Sequence, residues 1–447
     1  MSVNWSLKKI SDICEFQNNK RVPLKSLDRE KRQGEYPYYG ASGIVDYIDN
    51  YIFDGKFLLI SEDGENLRTR NTPIAFQAQG RFWVNNHAHI LAEKEEGILD
   101  YLEYYFSILN INPYITGAVQ PKLNKANLDA IEIPIPPVNE RLLINQILNS
   151  LKEKILLNNQ INQTLESIAQ AIFKSWFIDF EPVRAKIAAK QEGKDPELAA
   201  MCAISGKTQT ELEQIAKEDF AELQATAALF PDELVETELG DVPKGWEVTN
   251  INAVTKSIFS GGTPSTKETA YWNGEIPWLS SGETRNKIIV STEKSITELA
   301  VNKSSTKQAI YGDILIASAG QGHTRGQTSF NGMSCYINQS IVALRANDRI
   351  SGYWLYYCLE PRYDEMRSLS DSHSSRGSLT TKLLASMPVI LPTIELIVSF
   401  DKIIKSMVIQ QIKNLREIKV LENIRDSLLP KLLSGEVDVL LLRQEGA

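Results

Sequence analysis

Apolar residues recur at intervals of three and four through two long stretches of the chain. In the first they are Ile144, Leu148, Leu151 and Ile155, then Ile161, Leu165, Ile168, Ile172 and Trp176; in the second, Phe400, Ile404 and Met407, then Ile418, Leu421, Ile424, Leu428 and Leu432. Such spacing draws one apolar stripe along a helix. It predicts two helices of about 40 residues, roughly 60 Å long at ~1.5 Å per residue. Pro136-Pro137 and Pro392 mark their starts, because proline is accepted in a first turn and resists extension backward. Each stripe is interrupted near its middle by amides, Asn158-Asn159-Gln160 and Gln410-Gln411. Amides at such positions fix the register of a coiled coil at some loss of stability.

Ahead of each helix the pattern changes to short strand-like runs between turns. In the first block Asp54-Gly55-Lys56 leads into a strand at Phe57 to Ser61, followed by a turn at Gly64, strands at Thr72 to Gln77 and Arg81 to Val84, and a helix at Ile98 to Ile108. The second block has the same order: a strand at Gly312 to Ala317, a glycine-rich loop, a strand at Cys335 to Leu344 and a helix at Tyr353 to Leu359. Gly117 to Leu123 then answers Gly377 to Leu383. Both blocks read as α/β domains of one fold.

The chain is in fact written twice. Pro136 to Val183 lies over Pro392 to Val439 at a constant offset of 256 residues without a gap, Ile147 falling on Ile403, Leu151 on Met407 and Trp176 on Leu432. A period this long is no solenoid repeat; it marks a duplicated module with a pseudo-two-fold relation. The expected organisation is an α/β domain at 1–134, a long helix at 135–180, a linker at 181–245, a second α/β domain at 246–390 and a second long helix at 391–447. The two helices are expected to pair as an antiparallel coiled coil with the α/β domains at its opposite ends.

Composition agrees. A chain of 447 residues with 43% hydrophobic content suits two to four domains, and it has no apolar run of about 18 residues that could span a membrane. The opening Met-Ser-Val-Asn-Trp carries neither the basic nor the apolar region of a secretory signal, and the four cysteines show no CxxC spacing. A cytoplasmic chain with reduced thiols and no membrane partner is expected. The net charge of −8 would argue against a nucleic-acid partner were it evenly spread. From Glu181 to Gly245, however, fourteen acidic residues face seven basic ones, so this segment carries −7 and everything else only −1. Steering depends on local fields, and the acid sits in the linker.

Catalytic signatures are absent. Ser205-Gly206-Lys207-Thr208 imitates the end of a phosphate loop, but Met201 stands where that motif needs glycine. His87-Ala88-His89 has no acidic or cysteine cluster at metal spacing beside it. No nucleophile elbow, dinucleotide turn or amino-methyltransferase tetrapeptide occurs. What the chain does carry are loops suited to base edges. The first block supplies Arg68, Arg70, Gln79, Arg81, Asn85, Asn86, His87 and Lys122. The second supplies Gln321, His323, Arg325, Gln327, Asn338, Gln339, Ser374, Arg376 and Lys382. Arginine addresses guanine and asparagine or glutamine addresses adenine in bidentate fashion, each pair giving about 1–3 kcal/mol of discrimination. A duplicated scaffold with divergent polar loops is what a two-part DNA site requires. The alternative is a DNA-independent coiled-coil adaptor, for which the absence of a dense basic stripe speaks.

Over nearly its full length the chain resembles the specificity (S) subunit of type I restriction-modification systems. The resemblance rests on the Trp5 and Trp246 starts and on Ile133-Pro134-Ile135-Pro136-Pro137 and Val389-Ile390-Leu391-Pro392 before the helices. It rests equally on the run from Ser175 to Lys186, on Leu229-Phe230-Pro231-Asp232 and on Leu429 to Glu436. The resemblance implies a non-catalytic subunit with two target-recognition domains, each reading half of a bipartite, asymmetric double-stranded DNA sequence. It implies a coiled coil that sets the spacer and docks two modification (M) subunits, which methylate adenine with S-adenosylmethionine. Restriction (R) subunits, with ATP and Mg, would complete the complex, leaving no cofactor in this chain. DNA contacts vary within that family, so the site residues above rest on their own chemistry.

Overall fold

The computed structural model describes residues 5–117, 119–320, 322–373 and 377–441. The chain forms two compact units, Met1–Leu156 with Ile418–Ala447, and Leu157–Glu417.

In the first unit a six-stranded sheet runs in the order Cys14–Phe16, Ala88–Glu93, Phe53–Ser61, Ala75–Val84, Gln33–Gly40, Gly43–Ile48. The two strands expected at Thr72 to Gln77 and Arg81 to Val84 are one strand, bent where Gly80 faces Gly55 across the ladder. Both glycines have positive φ, 83° and 133°, which L side chains rarely adopt, so the paired strands turn together there. Asn85 N donates to Tyr39 O at 3.0 Å and Glu62 N to His87 O at 2.8 Å, so three residues join the ends of two different strands. The run Phe57 to Ile60 is apolar throughout because both faces of its strand are covered. Leu59 joins Phe53, Phe82, Val84 and Ile90 on one face, while Leu58 and Ile60 pack with Leu99, Leu102 and Phe106 of helix Ile98–Ile108 on the other.

In the second unit a five-stranded sheet contains Thr255–Ser260, Ile341–Ala346, Ile314–Ala317, Thr328–Asn331 and Ile288–Ile289. A four-stranded sheet adds Lys294–Ile296, Trp272–Leu279, Cys335–Ile337 and Lys307–Ala309. The single strand expected from Cys335 to Leu344 is therefore two, assigned to different sheets. Asn338-Gln339-Ser340 turns the chain between them, Asn338 Oδ1 accepting from Ser340 N at 3.0 Å. Asp313 is buried and held by a bidentate pair with Arg345 at 2.8 and 2.7 Å.

Each α/β domain is closed by a two-stranded clasp at the foot of its long helix: Ser6–Lys8 with Ile133–Ile135, and Glu247–Asn250 with Pro388–Leu391. The helices follow at once, Val138–Phe177 and Ile394–Leu433, 40 residues each. They pair antiparallel within each unit. In the first unit Ile144 and Leu148 share a core with Leu429, Leu432 and Leu433. In the second, Phe173, Trp176 and Phe177 share one with Phe400 and Ile404.

Two of the amides expected to interrupt the stripe, Asn158 and Gln411, form a knot in the second unit with Asn162 and Asn414. Asn414 Nδ2 donates to Asn162 Oδ1 at 2.9 Å, Gln411 Nε2 to Asn162 O at 3.2 Å and Asn158 Nδ2 to Glu417 Oε2 at 2.9 Å. Asn158, Gln411 and Asn414 are buried. Asn158 and Asn414 are the same position in the two copies.

The linker is not an extended tether. Its helices Glu181–Gln191, Pro196–Ser205, Gln209–Leu212 and Lys217–Ala228 surround a small core of Ala200, Met201, Leu212 and Ala227. Thr208 and Glu211 build a capping box that starts the short helix Gln209–Leu212, separate from Lys217–Ala228. The buried Lys186 ammonium ties the segment together, donating to Glu197 Oε1 at 2.7 Å and Phe230 O at 2.8 Å.

Where the second long helix begins, Ser351 caps helix Gly352–Leu359 and donates its hydroxyl to Asp401 Oδ1 at 2.7 Å. Burial pushes the Asp401 carboxyl up to about 6. A carboxyl raised on folding contributes stability that is full below about pH 4, its unfolded value, and lost as pH rises through the folded one. Asp401→Asn keeps the acceptor for Ser351 and should flatten this slope. At pH 8 the variant should be more stable by about 1–2 kcal/mol, a value discounted for partial exposure, as read by urea unfolding at pH 5 and pH 8.

Candidate nucleic-acid interface

In the first domain, the loops following Ser61, Val84 and Thr116 converge at one end of the sheet. Leu123 N donates to Glu62 O at 2.8 Å, and Arg68 Nη2 to Gly117 O at 3.0 Å. The centre is Arg21, whose Nη1 reaches Glu62 Oε2 at 2.6 Å, Ala88 O at 2.9 Å and Asn86 O at 3.2 Å. Burial works to raise the Glu62 carboxyl, but the Arg21 hydrogen bond and the charges of His89, Arg21 and Lys122 outweigh it and hold it below the ordinary range. His89 is buried between Asn18 and the Leu123 carbonyl, and burial lowers its pKa. It is a structural histidine, whereas the exposed His87 pairs through Nδ1 with Asp63 at 2.9 Å.

Arg68, Asn85, Asn86, His87 and Lys122 are therefore brought together. The other three are not. Arg70 sits at φ 50° and turns its guanidinium onto the end of helix Ile98–Ile108, donating to Phe106 O at 3.1 Å, Ser107 O at 3.2 Å and Leu109 O. It supplies the cation and donors that helix carbonyl ends lack. Gln79 and Arg81 flank the Gly80 bend, exposed, opposite Lys56 and Asp54. The Arg81 guanidinium pairs with Asp54 at 3.2 Å and lies 4.9 Å from the Tyr51 ring centroid. Arg21, Glu62 and Asp63 were missing from the sequence reading, since no local spacing ties them to the loops they organise.

The second domain builds the same end of its sheet differently. The strand Ile314–Ala317 runs into the loop that carries His323, Arg325 and Gln327, and Ser318 N donates to Ser340 O at 2.8 Å. The turn at Asn338 and Gln339 thus lies beside that loop. Gln339 Oε1 accepts from Thr263, Asn338 is buried, and Gln327 Oε1 accepts weakly from Thr284 at 3.5 Å. The loop is anchored by helix Tyr363–His373: Tyr363 Oη donates to His323 O at 3.0 Å and Arg367 Nη1 to Gly322 O at 2.6 Å. Arg325 is turned inward, its side chain 12% exposed, paired with Asp371 at 2.5 Å and donating to Gly377 O. Gln321, Ser374 and Arg376 lie outside the described residues.

Lys382 is not the counterpart of Lys122. The sequence reading set Lys122 against it, but the caps place the register elsewhere. Asn124 caps helix Lys125–Asp129 and Thr380 caps helix Thr381–Ser386, each preceded by a buried leucine, Leu123 or Leu379. Leu379 N donates to Ser318 O at 2.9 Å, as Leu123 N does to Glu62 O. The offset of 256 residues therefore extends back to Leu123, Lys122 answers Ser378, and Lys382 lies inside its helix, exposed.

Among the described residues no group of three or more His, Cys, Asp or Glu is placed to hold a metal, and no helix is long and apolar enough to cross a membrane.

Comparison with known proteins agrees with this architecture. The sequence profile of the type I restriction modification DNA specificity domain matches residues 2–167 and 243–421. The HindI type I restriction enzyme specificity subunit of Haemophilus influenzae is 34% identical over 438 residues, covering 95% of this chain and 91% of the relative. The MjaIX specificity subunit of Methanocaldococcus jannaschii is 24% identical over 459 residues, covering 98% and 94%. In fold, the crystal structure of the type I restriction-modification S subunit from M. genitalium superposes with a TM-score of 0.61 at 15% identity, covering 96% of each chain.

Proposed function

Because the chain belongs to the type I restriction-modification specificity subunits, with the family's domain in both of its copies, we propose that each α/β domain reads one half of a bipartite, asymmetric duplex target. The observation that carries this reading is the pair of polar loop clusters at the same end of two copied sheets. One is ordered by Arg21 and Glu62, the other by Tyr363, Arg367 and Asp371. Identical placement with different side chains is what two unlike half-sites require. Positioning and base reading divide between residues as they do in DNA interfaces generally. Exposed His87, Asn86, Lys122, His323 and Gln339 face solvent from these loops, whereas Arg325 holds its loop in shape.

The paired helices act as the ruler between half-sites, and their outer faces dock two modification subunits and, through them, restriction subunits. S-adenosylmethionine, ATP and Mg belong to those partners. Adenine-methylation mapping of a host expressing this chain with its modification subunit should yield one bipartite motif with a fixed spacer; an uninterrupted motif, or none, would overturn the reading. Binding of the assembled complex to duplex should weaken steeply with salt, which a DNA-independent adaptor would not show.

Arg325 provides a finer test. Since it works by tying Asp371 to the Gly377 carbonyl, Asp371→Ala should reproduce Arg325→Ala, each weakening binding about tenfold at one half-site and leaving the other unchanged. If Arg325→Ala alone relaxes base preference while Asp371→Ala is silent, Arg325 reads a base instead.

A further inference from the structure

The copied helices present copied grooves that differ in charge. In the second unit a groove of about 720 Å³ opens between the linker helix Lys217–Ala228 and the start of the second long helix. Its floor is apolar, with Ile394 and Val398 52% and 49% exposed. Its rim carries Asp219, Glu222 and Glu395, all exposed, against one cation, Lys402, whose ammonium lies 4.0 Å from Glu222. In the first unit a groove of about 920 Å³ lies along the start of the first long helix. It uses the same helix positions, 256 residues earlier: Asn139 for Glu395, Leu142 for Val398 and Gln146 for Lys402. Among the described residues, none that lines it is charged.

We infer that the groove of the second unit selects a partner's amphipathic helix carrying Lys or Arg beside its apolar stripe, while the copied groove of the first unit holds the same kind of helix by apolar contact alone. The apolar floors explain why both grooves accept one kind of segment. The acidic linker helix Lys217–Ala228 lines the groove of the second unit and, among the described residues, only that one, which is where the electrostatic contribution arises. Such charges act at the rim, where attraction is strong at low salt and screened beyond about 8–10 Å at physiological ionic strength. The consequence is that two identical partner subunits are held unequally, one contact yielding to salt and the other not. The inference rests on the reading that modification subunits dock on the long helices.

The test is titration of the full chain with its modification subunit at 0.1 and 0.5 M NaCl, with stoichiometry followed by sedimentation. The expected result is two bound subunits at low salt, with one site weakened about tenfold or more at high salt and the other less than about threefold. The triple variant Asp219→Asn, Glu222→Gln, Glu395→Gln alters only exposed groups; its thermal unfolding should match the parent. Its salt-sensitive site should lose that dependence and show at 0.1 M the affinity the parent's site shows at 0.5 M. Equal salt response at both sites, or a folded variant indistinguishable from the parent, overturns the inference and leaves docking intact. No subunit bound at either salt overturns the docking reading itself.

Discussion

Replacing Trp176 with alanine should destabilise the unit formed by residues 157–417 by about 3–5 kcal/mol, among the largest effects expected of a single core substitution. Trp176 is 1% exposed and meets Phe230 edge-on at 5.3 Å, with Phe177 at 6.0 Å and Phe400 at 6.2 Å. It joins the end of one long helix, the start of the other and the tail of the linker, so its loss opens a void that three elements line. The copied junction in the first unit is built from Ile144, Leu429, Leu432 and Leu433, the counterparts of Phe400, Phe173, Trp176 and Phe177. Trp176→Leu installs the counterpart's residue, yet it should recover only part of the loss. Leucine is too small to meet the linker's Phe230. Denaturant unfolding followed by tryptophan fluorescence measures both variants; a midpoint unchanged in Trp176→Ala would mean the junction does not hold the unit together.

Converting the amide knot to leucine at Asn158, Asn162, Gln411 and Asn414 together should leave stability unchanged or raise it, by up to about 4 kcal/mol, while loosening helix register. The contrast with a single change is the point. Asn162→Ala strands the Asn414 amide and should cost about 1–3 kcal/mol, because Asn414 is buried and donates to Asn162 Oδ1 at 2.9 Å. With all four replaced by leucine, the buried amide contacts that pin one helix against the other are gone, which weakens the barrier to a slip along the stripe. A slip of one heptad moves a helix about 10.5 Å, close to 3 base pairs at ~3.4 Å each. If the helices are the ruler proposed above, methylation mapping of the four-leucine variant should show minor motifs with spacers altered by about 3 base pairs. A single unchanged spacer in a folded variant would separate register from the knot.

Much of this protein is local in origin and so was legible along the chain. The two long helices follow from apolar spacing and from Pro136-Pro137 and Pro392, and the structure has them at Val138–Phe177 and Ile394–Leu433. Helix Ile98–Ile108 is found where the chain reads as helical, and the constant offset of 256 residues makes the two long-helix segments copies before any coordinate is known. The amides of the knot were visible as polar interruptions of a stripe. That Asn162 and Asn414 would join Asn158 and Gln411 depends on which turn of one helix faces which turn of the other.

The site was legible in composition only. Arg68, Arg70 and Arg325 look alike in sequence, each a basic residue in a polar loop. Folding sends them to different tasks because their partners are remote: Arg70 meets carbonyls 36 to 39 positions away, and Arg325 meets Asp371 and Gly377, 46 and 52 positions away. Periodicity carries information over one or two helical turns, whereas a hydrogen bond closed across a loop depends on how sheets curl and helices end. The sequence by itself determined that there are two α/β domains of one order, two long amphipathic helices that are copies of each other, and an acidic linker. Only the tertiary structure decided which cations are consumed in holding loops, which polar groups remain exposed on them, and how the acidic segment charges one of two copied grooves.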